Sequence, residues 1–438
     1  MHIFKESRYG RRSFLSASGQ AAIAASLFSS ADAFGASSPA ESSPLKDVPA
    51  PVELASIDEG NPTQEPQPNR MGIDGRIGYA IVGLGHLSLA QILPAIVQSK
   101  RSKVVALVSG DRKKAERIAA MYDVPTLGLY SYENFDDIKS NPHIHAVYIV
   151  LPNSMHLEYT IRAARAGKHV LCEKPMATAP EEAAQMIRAC EDAKVHLMIA
   201  YRIQYEPRTR EAMHWFRKKS LGAAKILDMS NIQNQSKSNV DQWRHKKSLA
   251  GGGALPDIGL YCINTARYLC GEEPIEVGAT QYSTPGDARF KDVEEAVAFW
   301  MKFPSGLLAN CVTSYGAFGS KRWRANFEKG FAEMDPAFPY SGLKLKRSRQ
   351  ATDLVELHVE EEEVFQAPDK NQFIAEVDHF AECITHNRKP WTPGEEGLQD
   401  QRIMKAIYES AATSRPVKLE AFKGLDRFRG TPPTPPAE

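Results

Sequence analysis

The sequence predicts an α/β protein with two domains: a doubly wound parallel sheet at residues 76–201, then an α+β domain with a largely antiparallel open sheet at residues 202–420. In the first region short apolar runs alternate with helical patterns, which is typical of parallel strands joined by crossover helices. A glycine-rich turn directly follows the first of these runs. After Arg202 the alternation stops, and strand-like runs follow one another with few helices between them.

Length and charge exclude several other classes of protein. The chain has 438 residues, enough for two domains, and its 54 basic against 53 acidic side chains give a net charge of +1. This balance provides no field for holding nucleic acid or an anionic membrane surface. No apolar run reaches the roughly 20 residues that a membrane anchor needs. The cysteines include no C-x-x-C pair and the histidines show no ligand spacing, so we predict no metal.

Residues 1–33 have the pattern of an export signal. Basic residues that include Arg11 and Arg12 come first. A weakly apolar run from Ala21 to Phe28 follows, and a small-residue cleavage site ends at Ala33. The adjacent arginines favour the twin-arginine route, so we expect the twin-arginine export machinery as a partner and a periplasmic location for the folded protein. An amphipathic first helix is the alternative.

Residues 34–75 are rich in proline, which lacks an amide donor and fits neither a helix interior nor a central strand. Composition favours a solvated linker over an arm that lies along another surface. The tail at residues 421–438 contains a Thr-Pro-Pro-Thr-Pro-Pro sequence and is expected to be flexible.

The first strand, turn and helix predict a dinucleotide site. The apolar run Ile77–Val82 leads into Gly83-Leu84-Gly85-His86-Leu87-Ser88 and then into a helical pattern. Gly83 permits a tight turn, and Gly85 lets a pyrophosphate approach the backbone near the helix N-terminus. Ser88 occupies the third small position. A chance glycine turn is the alternative.

The end of the second predicted strand, Val104–Val108, favours NADP over NAD. The residues that follow it are Ser109, Gly110, Asp111, Arg112, Lys113 and Lys114. A hydroxyl beside several cations suits the 2′-phosphate of NADP, whereas a carboxylate facing the ribose selects NAD. Asp111 is therefore the residue that can contradict this prediction. The alternative is a solvated loop that opens a helix at Lys113–Met121.

Three further predicted strands end in polar residues. They are His145–Leu151, Lys168–Cys172 and Val195–Ala200, with a helix predicted at Glu181–Ala193. The carboxyl ends of parallel strands share one edge of the sheet, and ligands bind there. We therefore expect four side chains to meet at this edge: Asn153, Lys174, Tyr201 and Arg202.

The second half is predicted to contain four helices and at least four strands. The helices are Pro207–Arg217, Asp257–Leu269, Asn371–Thr385 and Gln399–Thr413. The strands are Lys225–Ile232, Ile275–Tyr282, Val293–Phe303 and Gly306–Ser314. A return of the last two helices to the first domain is compatible with this division.

Asp257 and Tyr261 are four residues apart and therefore share one face of a predicted helix. A tyrosine whose pKa, about 10 when unperturbed, is lowered by a nearby cation can act as a general base. Lys174 is the candidate cation. A packing tyrosine and a helix-capping aspartate are the alternatives. Trp243 and Arg244 are predicted to line the substrate pocket, with a plain surface loop as the alternative.

Three segments carry a resemblance to the Gfo/Idh/MocA oxidoreductases. They are Leu151-Pro152-Asn153-Ser154-Met155-His156, Ala166-Gly167-Lys168-His169-Val170 and Cys172-Glu173-Lys174-Pro175-Met176-Ala177. Within the family the chain is most similar to the glucose–fructose oxidoreductase group, on the segments 106–110, 251–261, 271–277 and 393–397. The resemblance covers residues 76–417. It is absent at Gly85–Ser88 and at Lys329–Val364.

The resemblance implies a Rossmann domain that binds NADP and a catalytic set of Lys174, Asp257 and Tyr261. The predicted cofactor contacts are Gly83, Gly85, His86, Leu87, Ser109, Gly110, Lys114, Leu151, Asn153, His156, Glu173, Lys174, Tyr201 and Arg202. The predicted substrate contacts are Lys174, Trp243, Arg244, Asp257 and Tyr261.

The resemblance also implies an activity and an assembly. An aldose is oxidised at C1 to its lactone, and the retained cofactor passes the hydride to a second sugar. The proline-rich segment becomes an arm that wraps a neighbouring subunit, and the open sheet becomes the interface of a homo-oligomer. Two other functions stay open: an ordinary sugar dehydrogenase that releases NADPH, and a non-catalytic periplasmic sugar sensor. Tyr261 argues mildly against the first, because such dehydrogenases often carry histidine there.

Overall fold

The computed structural model describes residues 75–350, 360–367 and 370–433. The predicted signal peptide at 1–33, nearly all of the proline-rich segment at 34–75 and the end of the tail from 434 onward lie outside these residues. Within the described ranges, no helix has both the length and the hydropathy of a membrane span.

The N-terminal domain is built on a six-stranded parallel sheet. Its strands are β1 (Ile77–Val82), β2 (Ser102–Val108), β3 (Leu129–Tyr130), β4 (Ala146–Ile149), β5 (His169–Glu173) and β6 (Leu197–Ala200). Its helices are α1 (Leu93–Gln98), α2 (Arg112–Met121), α3 (His156–Arg165) and α4 (Pro180–Asp192). The strand order β3-β2-β1-β4-β5-β6 changes direction between β1 and β4, and the ligand cleft of such a sheet lies at that point.

The C-terminal domain is built on a nine-stranded mixed sheet in the described residues. Its first elements are α5 (Pro207–Arg217), β7 (Ala224–Ile232), α6 (Lys247–Ala250), α7 (Leu260–Cys270), β8 (Glu276–Tyr282), β9 (Ala296–Lys302) and β10 (Leu308–Ser314). The later elements are β11 (Ser320–Phe327), β12 (Gly330–Met334), β13 (Leu345–Gln350), β14 (Glu360–Phe365), α8 (Gln372–Thr385), α9 (Gly394–Thr413) and β15 (Val417–Lys418). The strand order is β14-β13-β12-β11-β7-β10-β9-β8-β15. Only the β7–β10 pair among these is parallel.

One face of this second sheet is packed and the other is open. Along β10 the side chains of Ala309 and Cys311 are buried, whereas Leu308 and Val312 are 41% and 42% exposed. Helix α7 packs against β7, and helix α9 packs against β8, on the buried face. The strand alternation therefore leaves an open face with apolar residues, which is where the family resemblance implies a subunit interface.

Helices α8 and α9 return to the first domain. The Val377 carbonyl of α8 accepts hydrogen bonds from Tyr79 Oη at 3.3 Å and from Ser102 Oγ at 3.2 Å. In α9, Gln401 Nε2 donates to the Ala177 carbonyl at 2.6 Å. The last two helices therefore hold the C-terminal domain against the sheet that carries the cofactor cleft.

The predicted fold class is confirmed: a parallel doubly wound sheet precedes a largely antiparallel one. The four strands β11 to β14 were not predicted. Three of the four lie in the segment Lys329–Val364, for which the sequence offered no family pattern.

Candidate active site

The turn after β1 forms a cradle that a pyrophosphate fits. Gly83 has a φ of 92°, in the left-handed region that favours glycine. A Cβ added there would lie 2.3 Å from the Val150 carbonyl oxygen. Ser88 Oγ donates to the Gly83 carbonyl at 2.6 Å, so this serine closes the turn from the helix side. His86 is exposed, and Gly85 and Leu87 are partly exposed, at the mouth of the cradle.

The end of β2 fits the 2′-phosphate of NADP. Asp111 caps α2, because its Oδ1 accepts the Lys114 amide at 2.9 Å. Ser109 Oγ accepts the amide of Asp111 at 3.1 Å, and Gly110 beside it is exposed. The carboxylate of Asp111, which could have favoured NAD, is thus hydrogen-bonded to the first turn of α2. Lys113 and Lys114 come shortly after the Ser109 hydroxyl in the sequence.

The ends of β4 and β5 bring Asn153 and Lys174 to the cleft, whereas His156 is buried. Asn153 Nδ2 donates to the Ala250 carbonyl at 2.9 Å, which joins the cofactor domain to the glycine segment after α6. The ring nitrogens of His156 lie 3.0 Å from the Pro175 carbonyl oxygen and 2.9 Å from that of Leu151, and the side chain is fully buried. Its imidazole therefore ties two loops together, and its contact with the cofactor stays a prediction.

Lys174, Asp257 and Tyr261 come together at this edge of the sheet. Asp257 lies in the π-helical turn Leu255–Gly259, and Tyr261 lies in the first turn of α7. Lys174 Nζ donates to the main-chain oxygen of Asp257 at 2.9 Å and to its Oδ1 at 3.3 Å. The same Nζ lies 4.7 Å from the centre of the Tyr261 ring. A cation, a carboxylate and a phenol thus share one partly exposed cluster.

The second carboxylate oxygen of Asp257 has two further donors. Arg244 Nε lies 3.2 Å from Oδ2, and Tyr315 Oη donates to Oδ2 at 2.6 Å. Burial opposes the charge on Asp257, but Arg244 and Lys174 outweigh it and hold the pKa of this carboxyl at about 2. Trp243 is buried with its ring 4.4 Å from the Arg244 guanidinium, so it supports the arginine from below. Asp257 is therefore a fixed anion at neutral pH.

Tyr315 is a site residue that sequence reasoning missed. It is fully buried, and burial raises the pKa of its hydroxyl well above the ordinary value, so it stays a donor to Asp257. Its signal was its place directly after a predicted strand that ends at Ser314. The same signal singled out Lys174 in the first domain.

Arg202 lies at the hydroxyl of Tyr261. Its Nη2 donates to Tyr261 Oη at 2.9 Å and to the Phe338 carbonyl at 2.9 Å. The sequence did not predict these partners, which Arg202 reaches because the segment after β6 turns toward the C-terminal domain. The contact of Arg202 with the cofactor stays a prediction. Phe338 was also missed, because nothing in its own segment marked it.

Tyr201 and Glu173 have hydrogen-bond partners in the buried part of the protein. Tyr201 Oη donates to Asp400 Oδ2 at 2.7 Å, and the residue also lines the cavity next to Lys174 and Tyr261. Glu173 Oε1 accepts the Tyr148 hydroxyl at 2.8 Å, and burial raises the pKa of Glu173. The contacts of both residues with the cofactor stay predictions.

Two sequence models of one family match the chain: an oxidoreductase family's NAD-binding Rossmann fold at residues 77–201 and its C-terminal alpha/beta domain at residues 219–419. The chain belongs to the Gfo/Idh/MocA oxidoreductase family. The resemblance drawn from the sequence is thereby confirmed at the level of the family.

Several members and structures of the Gfo/Idh/MocA family are similar to this chain. The D-xylose 1-dehydrogenase [NADP(+)] of Haloarcula marismortui is 33% identical over 351 residues, which are 79% of this chain and 94% of that protein. The crystal structure of an aldose-aldose oxidoreductase from Caulobacter crescentus, complexed with glycerol, is 40% identical. It covers 78% of this chain and 100% of its own, with a TM-score of 0.74. KijD10, a 3-ketoreductase from Actinomadura kijaniata, shares the fold at 22% identity and a TM-score of 0.66.

The features at the cleft of this Gfo/Idh/MocA protein fit an organic cofactor. Among the described residues, no group of three or more His, Cys, Asp or Glu side chains is arranged to hold a metal ion. The cradle at Gly83, the hydroxyl and lysines after β2, and the phenol at Tyr261 instead fit a dinucleotide with a substrate beside it.

Proposed function

We propose that this protein is a sugar oxidoreductase that retains NADP and oxidises an aldose at C1 to the lactone, then reduces a second sugar, a ketose or another aldose. The observation that carries the proposal is the meeting of Lys174, Asp257 and Tyr261 at the carboxyl edge of the parallel sheet, beside the dinucleotide cradle. The turn at Gly83 and the residues after β2 would hold NADP, which would supply the hydride chemistry between C1 of the first sugar and the carbonyl of the second.

The side chains perform the proton transfer and the orientation. Tyr261 Oη takes the proton of the anomeric hydroxyl in the first half-reaction and returns a proton to the new hydroxyl in the second. The positive charges of Lys174 and Arg202 lie beside the ring and the oxygen of Tyr261. Asp257, held by Lys174 and Arg244, accepts a hydroxyl of the sugar and fixes its orientation.

Two relatives support different versions of this activity. The aldose-aldose oxidoreductase structure supports a cycle between two sugars. The D-xylose 1-dehydrogenase supports the second candidate, an ordinary dehydrogenase that exchanges its cofactor. The twin-arginine pattern favours the closed cycle, because a protein exported in folded form to the periplasm carries its cofactor with it. The open face of the second sheet is the surface we propose for a homo-oligomer.

The test is to incubate the purified protein with pairs of sugars and no added cofactor, and to identify the products by mass spectrometry. We expect one lactone or aldonic acid and one reduced sugar in equal amounts, over many turnovers. The same assay with added NADP separates the two candidates. Turnover only with added NADP, and accumulation of free NADPH, would establish the ordinary dehydrogenase instead.

A further inference from the structure

Arg202 connects the two domains at the point where Tyr261 is held. It is the first residue of the short helical turn Arg202–Tyr205 that follows β6, and its side chain is 5% exposed. From there its side chain reaches α7 and the loop between β12 and β13, so the residue at the junction of the two domains is held by contacts of the second.

The contacts on the far side of Arg202 form a clamp, which consists of the segment Phe338–Tyr340 and Gln372. Two main-chain oxygens of this clamp accept from the guanidinium, that of Phe338 at 2.9 Å and that of Pro339 at 3.3 Å. Gln372 Oε1 accepts from Nη1, and Gln372 Nε2 donates to the Tyr340 carbonyl at 3.0 Å. The Tyr340 ring lies 4.2 Å from the guanidinium carbon. The charge of Arg202 therefore has a fixed place.

Lys174 is engaged differently from Arg202. Its Nζ donates to the main-chain oxygen and to Oδ1 of Asp257, and it lies over the face of the Tyr261 ring rather than at the oxygen. Arg202 Nη2 is the donor placed on Tyr261 Oη. Because a guanidinium stays charged throughout the accessible pH range and presents several donors in one plane, it can hold the phenolic oxygen and the clamp together.

We infer that Arg202 is a positioning residue of the reaction: its hydrogen bond to Tyr261 Oη aims the phenol at the substrate and stabilises the negative charge that develops on Oη as the proton moves, and the clamp of Phe338–Tyr340 and Gln372 holds Arg202 in that place. Because Nη2 takes one lone pair of Oη, the proton of the neutral phenol points away from Arg202. The Phe338 ring also packs against the Tyr261 ring, with centroids 5.8 Å apart. The same segment therefore fixes both the cation and the base.

Other charges surround this pair and are part of its electrostatics. They are Lys174 at the Tyr261 ring, Asp257 and Arg244 beyond Lys174, and Glu173 and Glu376 behind Arg202. Burial raises the pKa of Glu376 well above its ordinary value, and Tyr148 Oη donates to its Oε2 at 3.3 Å.

The test compares R202M and R202K with the parent protein in aldose oxidation with added NADP, over a range of pH. The inference rests on the proposed proton abstraction by Tyr261, but this half-reaction does not require a retained cofactor, so failure of the two-sugar cycle leaves the test valid. For R202M we expect kcat to fall about 100-fold, within the range of general base catalysis. We also expect the acid limb of kcat/KM to move up by about 1 to 3 pH units, which is the effect of removing a neighbouring charge. R202K should restore part of that shift.

The matched control is R217M, which removes another guanidinium, one that is partly exposed and pairs with Asp426 at 2.6 Å away from the site. It should lower stability and leave the pH profile in place. Q372A tests the clamp: we expect a smaller shift in the parent and none in the R202M background. An R202M profile that coincides with the parent's overturns the inference even if kcat is low, because the role is then only structural. If R202M does not fold, R202Q, which keeps donors but no charge, takes its place, and an R202Q profile that coincides with the parent's overturns the inference.

Discussion

Two clusters of arginines and carboxylates each include a residue of α7, and they differ in how far their side chains are exposed to solvent. The catalytic cluster is Lys174, Arg202, Arg244, Asp257 and Tyr261, and the side chains of Lys174 and Asp257 are both 15% exposed. The buried ion cluster is Arg267, Glu273, Glu396, Asp400 and Arg429, and there the side chains of Arg267 and Glu396 are 0% exposed. Tyr261 and Arg267 are less than two turns apart on α7.

The difference lies in what remains available to a ligand. In the buried ion cluster Arg267 donates to Glu273 at 2.7 Å, to Asp400 at 2.5 Å and to Glu396 at 3.1 Å, so its guanidinium is fully engaged. In the catalytic cluster the partners leave the oxygen of Tyr261 and the carboxylate of Asp257 at an accessible edge. One end of α7 therefore serves chemistry and the other holds α9 and the tail in place.

Tyr261→Phe is the sharpest test of this division. We expect turnover to fall by about 10²- to 10⁴-fold, because the general base is lost. The free energy of unfolding should fall by only about 1 kcal/mol, since one hydrogen bond to Arg202 is removed. Steady-state kinetics and denaturant unfolding on the same preparation measure both. A parent-like rate would contradict the assignment of the base.

Arg267→Met should have the opposite effect, a large loss of stability rather than a large loss of turnover. Removing the cation leaves Glu273, Glu396 and Asp400 buried with too few partners, so the free energy of unfolding should fall by about 3 to 5 kcal/mol. Lys405→Met is the control, because its ion pair with Glu181 is exposed and screened by solvent, so its loss should change stability little. A loss no larger than that of the control would show that the buried ion cluster does not stabilise the fold.

Sequence reasoning predicted that three residues with a local signal meet, and the structure brings them together. Lys174 stands at the end of a buried strand, and Asp257 and Tyr261 stand on one helical face, so periodicity and strand ends were sufficient. Arg202 was assigned to the cofactor, because its partners are 59 and 136 residues away in sequence and only the folded chain brings them together. Contacts between residues that are distant in sequence leave no pattern in the local sequence.

Asp257→Asn should lower kcat/KM for the sugar by about 10- to 100-fold, equivalent to the loss of about 1.5 to 3 kcal/mol from a charged hydrogen bond. An amide cannot replace the anion between Lys174 and Arg244. Asp136→Asn, which breaks an exposed pair with Arg162, is the control and should leave kcat/KM unchanged. Equal effects of the two substitutions would remove Asp257 from the site.

The smallest expected effect is at Asp400, where a substitution should change how steeply the free energy of unfolding depends on pH. Burial raises the pKa of Asp400 to about 7, with the neighbouring Glu396 adding to it and Arg267 opposing it. The folded protein then keeps a proton that the unfolded chain releases above pH about 4, so the free energy of unfolding falls as pH rises from about 4 to 7. In D400N that decline should be shallower, by at most about 1.4 kcal/mol per pH unit. If the free energy of unfolding changed with pH at the same slope in D400N and in the parent protein, this role of Asp400 would be contradicted.

The strands β11 to β14 show why part of the fold escaped prediction. In β11 the buried residues Trp323, Ala325 and Phe327 alternate with more exposed polar ones, a signal that was present and not used. In β13 and β14 the residues are mostly charged and have low intrinsic strand preference. Their pairing is supported across the strands, for example by Arg347 and Glu363 at 2.7 Å, which a reading of one segment at a time does not detect.

We propose that Tyr261 transfers protons beside a cofactor that stays bound, and a single-turnover titration is the most direct test. The protein is purified without added nucleotide and mixed with an aldose alone, while the absorbance of reduced nicotinamide is followed. We expect the absorbance band to rise to one equivalent of reduced nicotinamide per protomer and to disappear when a second sugar is added. In Tyr261→Phe we expect no such band. No band without supplied NADP, or the same response in Tyr261→Phe, would contradict it.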